Sequence, residues 1–533
     1  MLTKCRFWAL FILALLPACL FADFPPLPTG TNISENLTPA DSATLQNSIS
    51  LAVNDADQAI AVWLTPLSNC SCTLTGAYAT AESFSDTWSL PALIPLTGLG
   101  LPTNEVIHIE VDLDESGNAW AILTVGDGVQ NQVAVMQYSF LTGSWGALTV
   151  LSSDVDPIFN VSIAQSSSAG FAAAAWVSAS DQAMAVIFDG AAWGNAITAG
   201  PGGEVSFVDI DINDNQTAVL VFTQNFTSLA SRVFNGSTWT SADQSLSPFG
   251  ANVVTSAIAG LDNFDNGLII WEAQMNQSSI YANAVAGGVV SGTPTLLSSP
   301  LQDGSVPALD VSPNGRFIAA WQETLPAAGF AIVGLAGTIM GSVSNIVLSP
   351  KMDQYICEMQ ASINDIGNAV AAWCLDMNTI QAVTSQAGAA FTAPQTLSAL
   401  NDISDQQVTG VSLAGPVVAW FDHDPANPAV LVSRFGGLPP GPPVAALSFT
   451  GKAYSNKFLD RSQRVHRLVW VPTNDMSITG YNIYKNGQLL DIIPASGPYF
   501  LLDVLPYKQL DEYQLTAFNI YGGESPPLTV VLY

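Results

Sequence analysis

The sequence predicts an all-β fold in which a ring of repeated four-stranded sheets is followed by a smaller β-domain. Short apolar runs alternate with polar residues and are bounded by Asn, Asp and Gly, which is typical of strands joined by hairpin turns. This pattern repeats along most of the 533 residues, and no long amphipathic helix interrupts it. The charge balance then changes abruptly near residue 440, which indicates a second domain.

Each repeat has a second apolar run, rich in Ala, that ends in a large apolar anchor residue. Eight such anchors occur in register: Trp63, Leu123, Trp176, Phe222, Trp271, Trp321, Trp373 and Trp420. The first and last anchors are 357 residues apart, and seven steps give a mean period of 51 residues. A period of this length over eight units predicts an array of identical structural units.

Two further short runs follow in each repeat, so each unit supplies four strands, the content of one propeller blade. The eighth unit has three runs before a Pro-rich stretch, and we expect residues 32–38 to supply its missing strand and close the ring. Residues 23–435 therefore resemble a bacterial exported β-propeller with Ala-Val-Ala-Trp blades. The resemblance implies about eight four-stranded blades.

A domain boundary is predicted at residues 436–443, a Pro/Gly-rich linker that disfavours both helix and inner strand. The stretch 23–440 carries four basic residues, against seven in the stretch 441–533. Within residues 444–533, the segments 468–470, 478–487 and 513–519 resemble strands of a fibronectin type III domain. That resemblance implies an immunoglobulin-like β-sandwich, with Trp470 in its core and Tyr513 at the corner-tyrosine position.

The N-terminus is typical of an export signal, predicted to cover residues 1–22. Lys4 and Arg6 precede an apolar run, and Ala22 is a suitable last residue before cleavage. An alternative is a lipoprotein signal in which Cys19 would be lipidated. Either case predicts a secreted or cell-surface protein, and the mature chain has no predicted membrane span.

The formal net charge of −30 argues against nucleic acid as a partner, because phosphate contacts need Lys and Arg. Charged residues make up only 11% of the chain, so the imbalance comes from missing basic residues rather than from acidic tracts. An acidic array repels acidic polymers. We therefore expect a neutral glycan or an extracellular protein as the partner.

Residues typical of catalysis are scarce, and no motif for a catalytic nucleophile or for phosphate or zinc binding is present. The three histidines, His108, His423 and His466, lack the spacing of metal ligands. The array has three arginines, Arg232, Arg316 and Arg434, at non-equivalent positions of different repeats, unlike the arginine cluster that sialidase-like propellers need. We therefore predict no catalytic residue, no cofactor and a non-enzymatic protein.

Two weaker candidate sites remain. Asp112, Asp114 and Ser116 place oxygen atoms at alternate positions, as in a calcium-binding loop, although a plain hairpin turn explains them as well. Cys357 and Cys374 flank a turn symmetrically. A disulfide forms if an even-numbered loop places them opposite each other, whereas a three-residue loop points the thiols to opposite faces.

These features favour an extracellular binding or adhesion protein whose propeller loops contact a glycan or protein partner. One alternative is an exported carbohydrate-active hydrolase or lyase that uses the propeller channel. Another is a structural component of the cell envelope.

Overall fold

The structure is a computed structural model that describes most of the chain between Gly30 and Tyr533. The described residues are 30–34, 37, 49–66, 74–82, 87–96, 105–126, 131–153, 161–200, 204–240, 244–247, 253–275, 277–326, 329–376, 379–398, 404–422, 428–434, 445–457, 462–472, 478–495, 497–505, 510–519 and 524–533. They form strands and turns only. No helix long and apolar enough to cross a membrane occurs among them. The predicted signal segment, Cys19 and the linker 436–443 lie outside these ranges.

Eight antiparallel sheets occupy the chain from Thr31 to Arg434, and the strands pair in chain order in sheets 1, 3, 4, 6 and 7. In sheets 2 and 5 the third strand pairs with both short strands that follow it, and sheet 8 includes the N-terminal strand. Sheet 1 consists of Ile49–Val53, Ala59–Pro66, Leu74–Ala81 and Ala92–Leu93, and sheet 2 consists of Glu105–Leu113, Asn118–Gly126, Asn131–Ser139, Ser144–Trp145 and Thr149–Ser152. Sheet 3 consists of Val161–Gln165, Ala172–Val177, Ala183–Phe188 and Ile197–Ala199, and sheet 4 consists of Val208–Ile212, Thr217–Gln224, Ser228–Asn235 and Gln244–Ser245.

The next four sheets repeat the arrangement. Sheet 5 consists of Val253–Leu261, Gly267–Gln274, Ser278–Ala286, Val289–Val290 and Thr295–Leu296, and sheet 6 consists of Gly304–Val311, Arg316–Thr324, Phe330–Thr338 and Val343–Met352. Sheet 7 consists of Ile356–Ile363, Ala369–Leu375, Thr379–Ser385 and Gln395–Thr396, and sheet 8 consists of Ser404–Val411, Pro416–Asp422, Ala429–Arg434 and the N-terminal strand Thr31–Asn32.

The sheets form a closed ring, the arrangement of a β-propeller. We call the first strand of each sheet along the chain its inner strand, and for sheet 8 this is Ser404–Val411. Each inner strand contacts the inner strand of the next sheet, and that of sheet 8 contacts that of sheet 1. Sheet 8 is completed from the other end of the chain, because Thr31 pairs with Val432 and Asn32 pairs with Leu431. Pairing between the N-terminal strand and the last strand of the ring thus removes an open sheet edge.

The second strand of each sheet is buried on both faces, which explains its composition. All eight anchor residues are buried, and the alanines that precede them, such as Ala172–Ala175, are fully buried as well. Side chains as small as Ala allow neighbouring sheets to approach closely, while the indole rings fill the space between the sheets. The core is therefore divided into clusters that join neighbouring sheets; Trp120 of sheet 2 and Trp176 of sheet 3 share one such cluster.

The turn after each inner strand is built in the same way in all eight sheets. A buried turn residue accepts a hydrogen bond at 2.7–3.2 Å from a backbone N–H three to five residues later; these turn residues are Asn54, Asp114, Ser166, Asn213, Asp262, Ser312, Asn364 and Ser412. The position six residues before the anchor has positive φ at Gly117, Gly170, Gly315 and Gly367. Three other sheets place Asp57, Gln216 and Asp265 there, also with positive φ. Short polar side chains and Gly suit such turns, which explains the sequence pattern.

The remaining described residues form two sheets that share one apolar core. Sheet 9 consists of Ser448–Lys457, Ser462–Val471 and Phe500–Leu505, and sheet 10 consists of Gln488–Pro494, Ile478–Lys485, Asp511–Asn519 and Leu528–Leu532. Trp470, Tyr481 and Leu515 are buried in their common cluster. The three segments singled out from the sequence fall in the second, third and sixth of these seven strands.

Cys357 and Cys374 are joined by a disulfide across the first two strands of sheet 7, with their Cα atoms 5.5 Å apart. Regular pairing around this turn, in which Met359 lies opposite Trp373, would place Cys357 opposite Leu375. A β-bulge between Ile356 and Met359 shifts the register by one residue, so that Ile356 lies opposite Leu375. The bulge therefore brings the two thiols together.

Candidate functional site

The inner strands surround a central channel of about 730 Å³. Six carboxylates line it: Glu110, Asp112, Asp209, Asp211, Asp310 and Glu358. Serine, threonine, glutamine and asparagine side chains complete the polar lining, and the described lining residues include no Lys, Arg or His. The channel therefore presents hydrogen-bond acceptors and negative charge to any ligand.

Four of these carboxylates, which we call bridging aspartates, connect neighbouring sheets of the ring by hydrogen bonds. Each bridging aspartate accepts a hydrogen bond from a backbone N–H on the inner strand of the next sheet; the donors are Gln165 to Asp112 at 2.7 Å, Ala259 to Asp209 at 2.8 Å, Leu261 to Asp211 at 2.6 Å and Ile363 to Asp310 at 2.7 Å. Inner strands are sheet edges, so their outward N–H groups have no ladder partner. The bridging aspartates supply the missing acceptors.

Burial raises the pKa of every bridging aspartate. The pKa of Asp112, Asp209 and Asp310 rises to about 6, and that of Asp211 rises to about 8. Backbone N–H donors lower the pKa of each group, but they offset only part of the cost of removing a charge from water. At neutral pH, Asp211 is therefore largely protonated, whereas the other three are mostly ionised.

One end of the channel is narrowed by the turns. The backbone N–H of Asp55 in sheet 1 donates to both carboxylate oxygens of Glu115 in sheet 2, at 3.0 and 3.1 Å. The amide of Asn364 in sheet 7 donates to Asp55 at 3.1 Å, so turns of non-neighbouring sheets meet. Burial raises the pKa of both carboxyl groups, and repulsion adds to this effect, from Glu115 and Asp365 at Asp55 and from Asp365 at Glu115.

Several polar atoms in the channel lack a partner within the described part of the chain. The Gln407 side chain is fully buried, and neither its amide nitrogen nor its oxygen makes a hydrogen bond there. Gln165 Oε1 and Ser256 Oγ also make no hydrogen bond within the described part of the chain, and both residues line the channel. These atoms are themselves buried, so they lie beneath the channel surface and are not open to a ligand in it. Glu358 and the aromatic ring of Phe207 also line it.

The three calcium-loop candidates do not converge on a cation position. Asp112 is a bridging aspartate, and Asp114 is a turn residue whose two oxygens accept from the backbone N–H and side-chain amide of Asn118. Ser116 is exposed at the turn. A turn function thus accounts for this pattern, and calcium binding stays a prediction.

The other sequence candidates are dispersed. His108 is buried in its strand and lies 3.0 Å from Glu110, and His423 lies outside the described residues. Arg232 donates to the Thr198 carbonyl, Arg316 donates to the Asp365 carbonyl and Arg434 pairs with Asp57. The arginines therefore form no common anion site.

Sequence reasoning missed a second cluster of ionisable groups. His466, Asp503 and Asp511 come together between sheets 9 and 10, with ligand atoms within 4.8 Å of one another. They lie on three separate strands, so no spacing along the chain signals their proximity.

Comparison with known proteins gives similarity at the level of architecture. No family model matches the chain, and no curated protein matches it. Similar solved structures include a lectin from Burkholderia pseudomallei, with 13% identity, a TM-score of 0.46 and coverage of 66% of this chain and 99% of the lectin. A polysaccharide lyase has 8% identity, a TM-score of 0.40 and coverage of 60% and 88%. A sialidase from Streptococcus pneumoniae has 9% identity, a TM-score of 0.35 and coverage of 66% and 67%.

These similarities correct one expectation. The sequence-based prediction that the chain is not an enzyme is wrong as an exclusion, because polysaccharide lyases and sialidases are among the structures of similar architecture. At such low identities, the enzyme status of this chain is not established.

Proposed function

We propose that this chain is an exported carbohydrate-binding protein, in which an eight-bladed β-propeller is followed by a fibronectin type III domain. Residues 1–22 direct export, and the mature chain acts outside the cell or on its surface. The ligand is a neutral glycan that binds in the central channel.

One observation carries the proposal: the channel lining is rich in carboxylate, amide and hydroxyl groups and contains no described basic side chain. Sugar hydroxyls donate hydrogen bonds to carboxylate oxygens, and hydrogen bonds to charged acceptors are among the stronger ones. Phe207, which is partly exposed, offers an apolar surface for a sugar ring. Sulfated glycans and polyuronates would meet uncompensated negative charge.

A glycan array on the purified, secreted chain tests this assignment. We expect signals for neutral oligosaccharides and none for their sulfated or uronate counterparts. Binding restricted to acidic glycans, or binding to none of the neutral structures, contradicts the proposal.

A carbohydrate-active enzyme is the second candidate. It is favoured by the position of Asp211, a carboxyl of raised pKa, in the same channel as carboxylates with lower pKa, since acid–base cleavage of a glycosidic bond uses such a pair. Release of shorter products from a glycan bound on the array, lost in an Asp211→Asn variant that still folds, would support this candidate. Intact glycan after prolonged incubation would favour binding alone.

A further inference from the structure

The most unusual polar cluster outside the channel lies between sheets 9 and 10. Lys485 Nζ is 2.7 Å from Asp503 Oδ2 and 3.4 Å from Asp511 Oδ2. The side chain of Asp511 is fully buried, and those of Lys485 and Asp503 are 18% and 13% exposed. An ammonium group thus occupies the position between two carboxylates where a metal ion would otherwise bind.

The surrounding groups orient both carboxylates. The Tyr513 hydroxyl donates a hydrogen bond to Asp503 Oδ2, and it lies 2.9 Å from His466 Nδ1. The side-chain amide of Asn486 donates to Asp511 Oδ1 at 2.9 Å. Lys485 and Asp511 belong to sheet 10 and Asp503 belongs to sheet 9, so the contact crosses from one sheet to the other.

We propose that Lys485 and Asp503 condense to a side-chain amide that joins the two sheets covalently, with Asp511 carrying the protons. The Lys485 ammonium first gives a proton to Asp511, and the free amine attacks Cγ of Asp503. The Nζ–Cγ bond forms, one Cγ–Oδ bond breaks, and the departing oxygen leaves as water after it receives protons from Asp511 and from the nitrogen. An ammonium and a carboxylate become one neutral amide and one water, so no other reactant is required.

Two physical arguments favour this reaction. A buried ion pair pays desolvation for both charges, and the amide removes both of them. Fixed proximity also converts an unfavourable bimolecular condensation into an intramolecular one, for which effective concentrations are very high. The Tyr513 hydroxyl assists because its hydrogen bond polarises the Asp503 carboxyl group.

Peptide mapping of the full-length, secreted protein after denaturation tests the proposal. Trypsin cuts after Lys508, and a second protease cuts before Asp491, between Lys485 and Asp503. We expect no tryptic cut at Lys485, and we expect the fragments that contain Lys485 and Asp503 to stay joined with the loss of one water.

Two variants and a matched control localise the reaction. Lys485→Arg keeps the positive charge but forms no amide, and Asp511→Asn removes the proton carrier; both should yield separate fragments. Lys452→Arg changes an exposed lysine of sheet 9 and should leave the fragments joined. Near-ultraviolet circular dichroism checks that the packing around Trp470 is retained. Separate fragments and normal cleavage at Lys485 in the unmodified chain would overturn the proposal, and a joined product in Asp511→Asn would overturn the role of Asp511.

Discussion

The propeller and the C-terminal sheets stabilise partly buried carboxylates in two different ways. In the propeller, Asp112, Asp211 and Asp310 accept hydrogen bonds from backbone N–H groups of the next sheet. In the C-terminal domain, Asp503 lies against the Lys485 ammonium and the Tyr513 hydroxyl. The propeller spreads its carboxylates along strand edges, whereas the smaller domain gathers its ionisable groups at one point.

The difference follows from topology. A ring of sheets leaves an unpaired N–H row on every inner strand, and an aspartate at the right position satisfies it without any basic partner. Between sheets 9 and 10 no such row is available, and the Lys485 ammonium balances the charges of Asp503 and Asp511. Asp57 is the exception in the propeller, because it pairs with Arg434 at 2.8 Å where sheets 1 and 8 meet.

The largest expected effect on the free energy of unfolding comes from breaking the Arg434–Asp57 ion pair. Arg434→Met leaves Asp57, which is 1% exposed, buried without its cation, and loss of one partner of a buried pair typically costs about 3–5 kcal/mol. Urea unfolding monitored by tryptophan fluorescence measures the loss. Arg232→Met, at a more exposed arginine of sheet 4, should cost less than about 1 kcal/mol. Equal effects of the two substitutions would show that Arg434 does not lock the ring.

Removing the Cys357–Cys374 disulfide is expected to lower stability by a smaller amount. Sheet 7 has Ser362 at the position where sheets 2, 4 and 6 carry a bridging aspartate, and the Ser362 hydroxyl lies 2.8 Å from Thr409 Oγ1 on the next inner strand. The Cys357–Cys374 bond joins the first two strands within sheet 7. For a loop of 17 residues, cross-linking stabilises the fold by about 3 kcal/mol in the chain-entropy view. We expect the double Cys→Ser variant to lose about 3 kcal/mol of unfolding free energy and therefore to unfold at a lower urea concentration. Identical unfolding curves with and without a reductant would contradict a stabilising bond.

The bridging aspartates predict an inverse dependence of stability on pH. The pKa of Asp211 is about 8 in the folded chain, against an ordinary value of 3.8. Between these values the folded chain holds a proton that the unfolded chain releases, so stability falls as pH rises. We expect stability to fall from pH 5 to pH 8, visible as a lower Tm. Asp211→Asn should flatten this slope, and a Tm that rises between pH 5 and pH 8 would contradict the account.

Local signals in the sequence predicted much of the ring. The anchors, the Ala-rich strands and the turn glycines each reflect a requirement inside one repeat, namely a buried strand or a positive φ, as at Gly117. The bridging role of Asp112 was not predictable, because its partner Gln165 belongs to the next repeat. An aspartate beside a turn looks the same whether it bonds to the turn or to a neighbouring sheet.

Long-range features were the least predictable. Arg434 and Asp57 are 377 residues apart, and their pairing depends on ring closure. The disulfide depends on a bulge that no residue type marks, and the Lys485 cluster depends on how two sheets stack. The channel was expected from the architecture, but its unpartnered amide at Gln407 emerges only once eight strands are assembled.

The central claim is that the acidic channel binds an uncharged glycan, and calorimetric titration of a neutral array-positive oligosaccharide tests it most directly. We expect the combined Glu110→Gln, Glu358→Gln variant to bind at least about tenfold more weakly, because each substitution replaces a charged acceptor of the channel lining by a neutral one, a difference of roughly 1 kcal/mol per hydrogen bond. Asp353→Asn, which removes a charge from an exposed position 88% open to solvent, should leave the affinity unchanged. Unaltered affinity in the channel variant, or a neutral ligand whose binding weakens steeply with salt, would contradict the account.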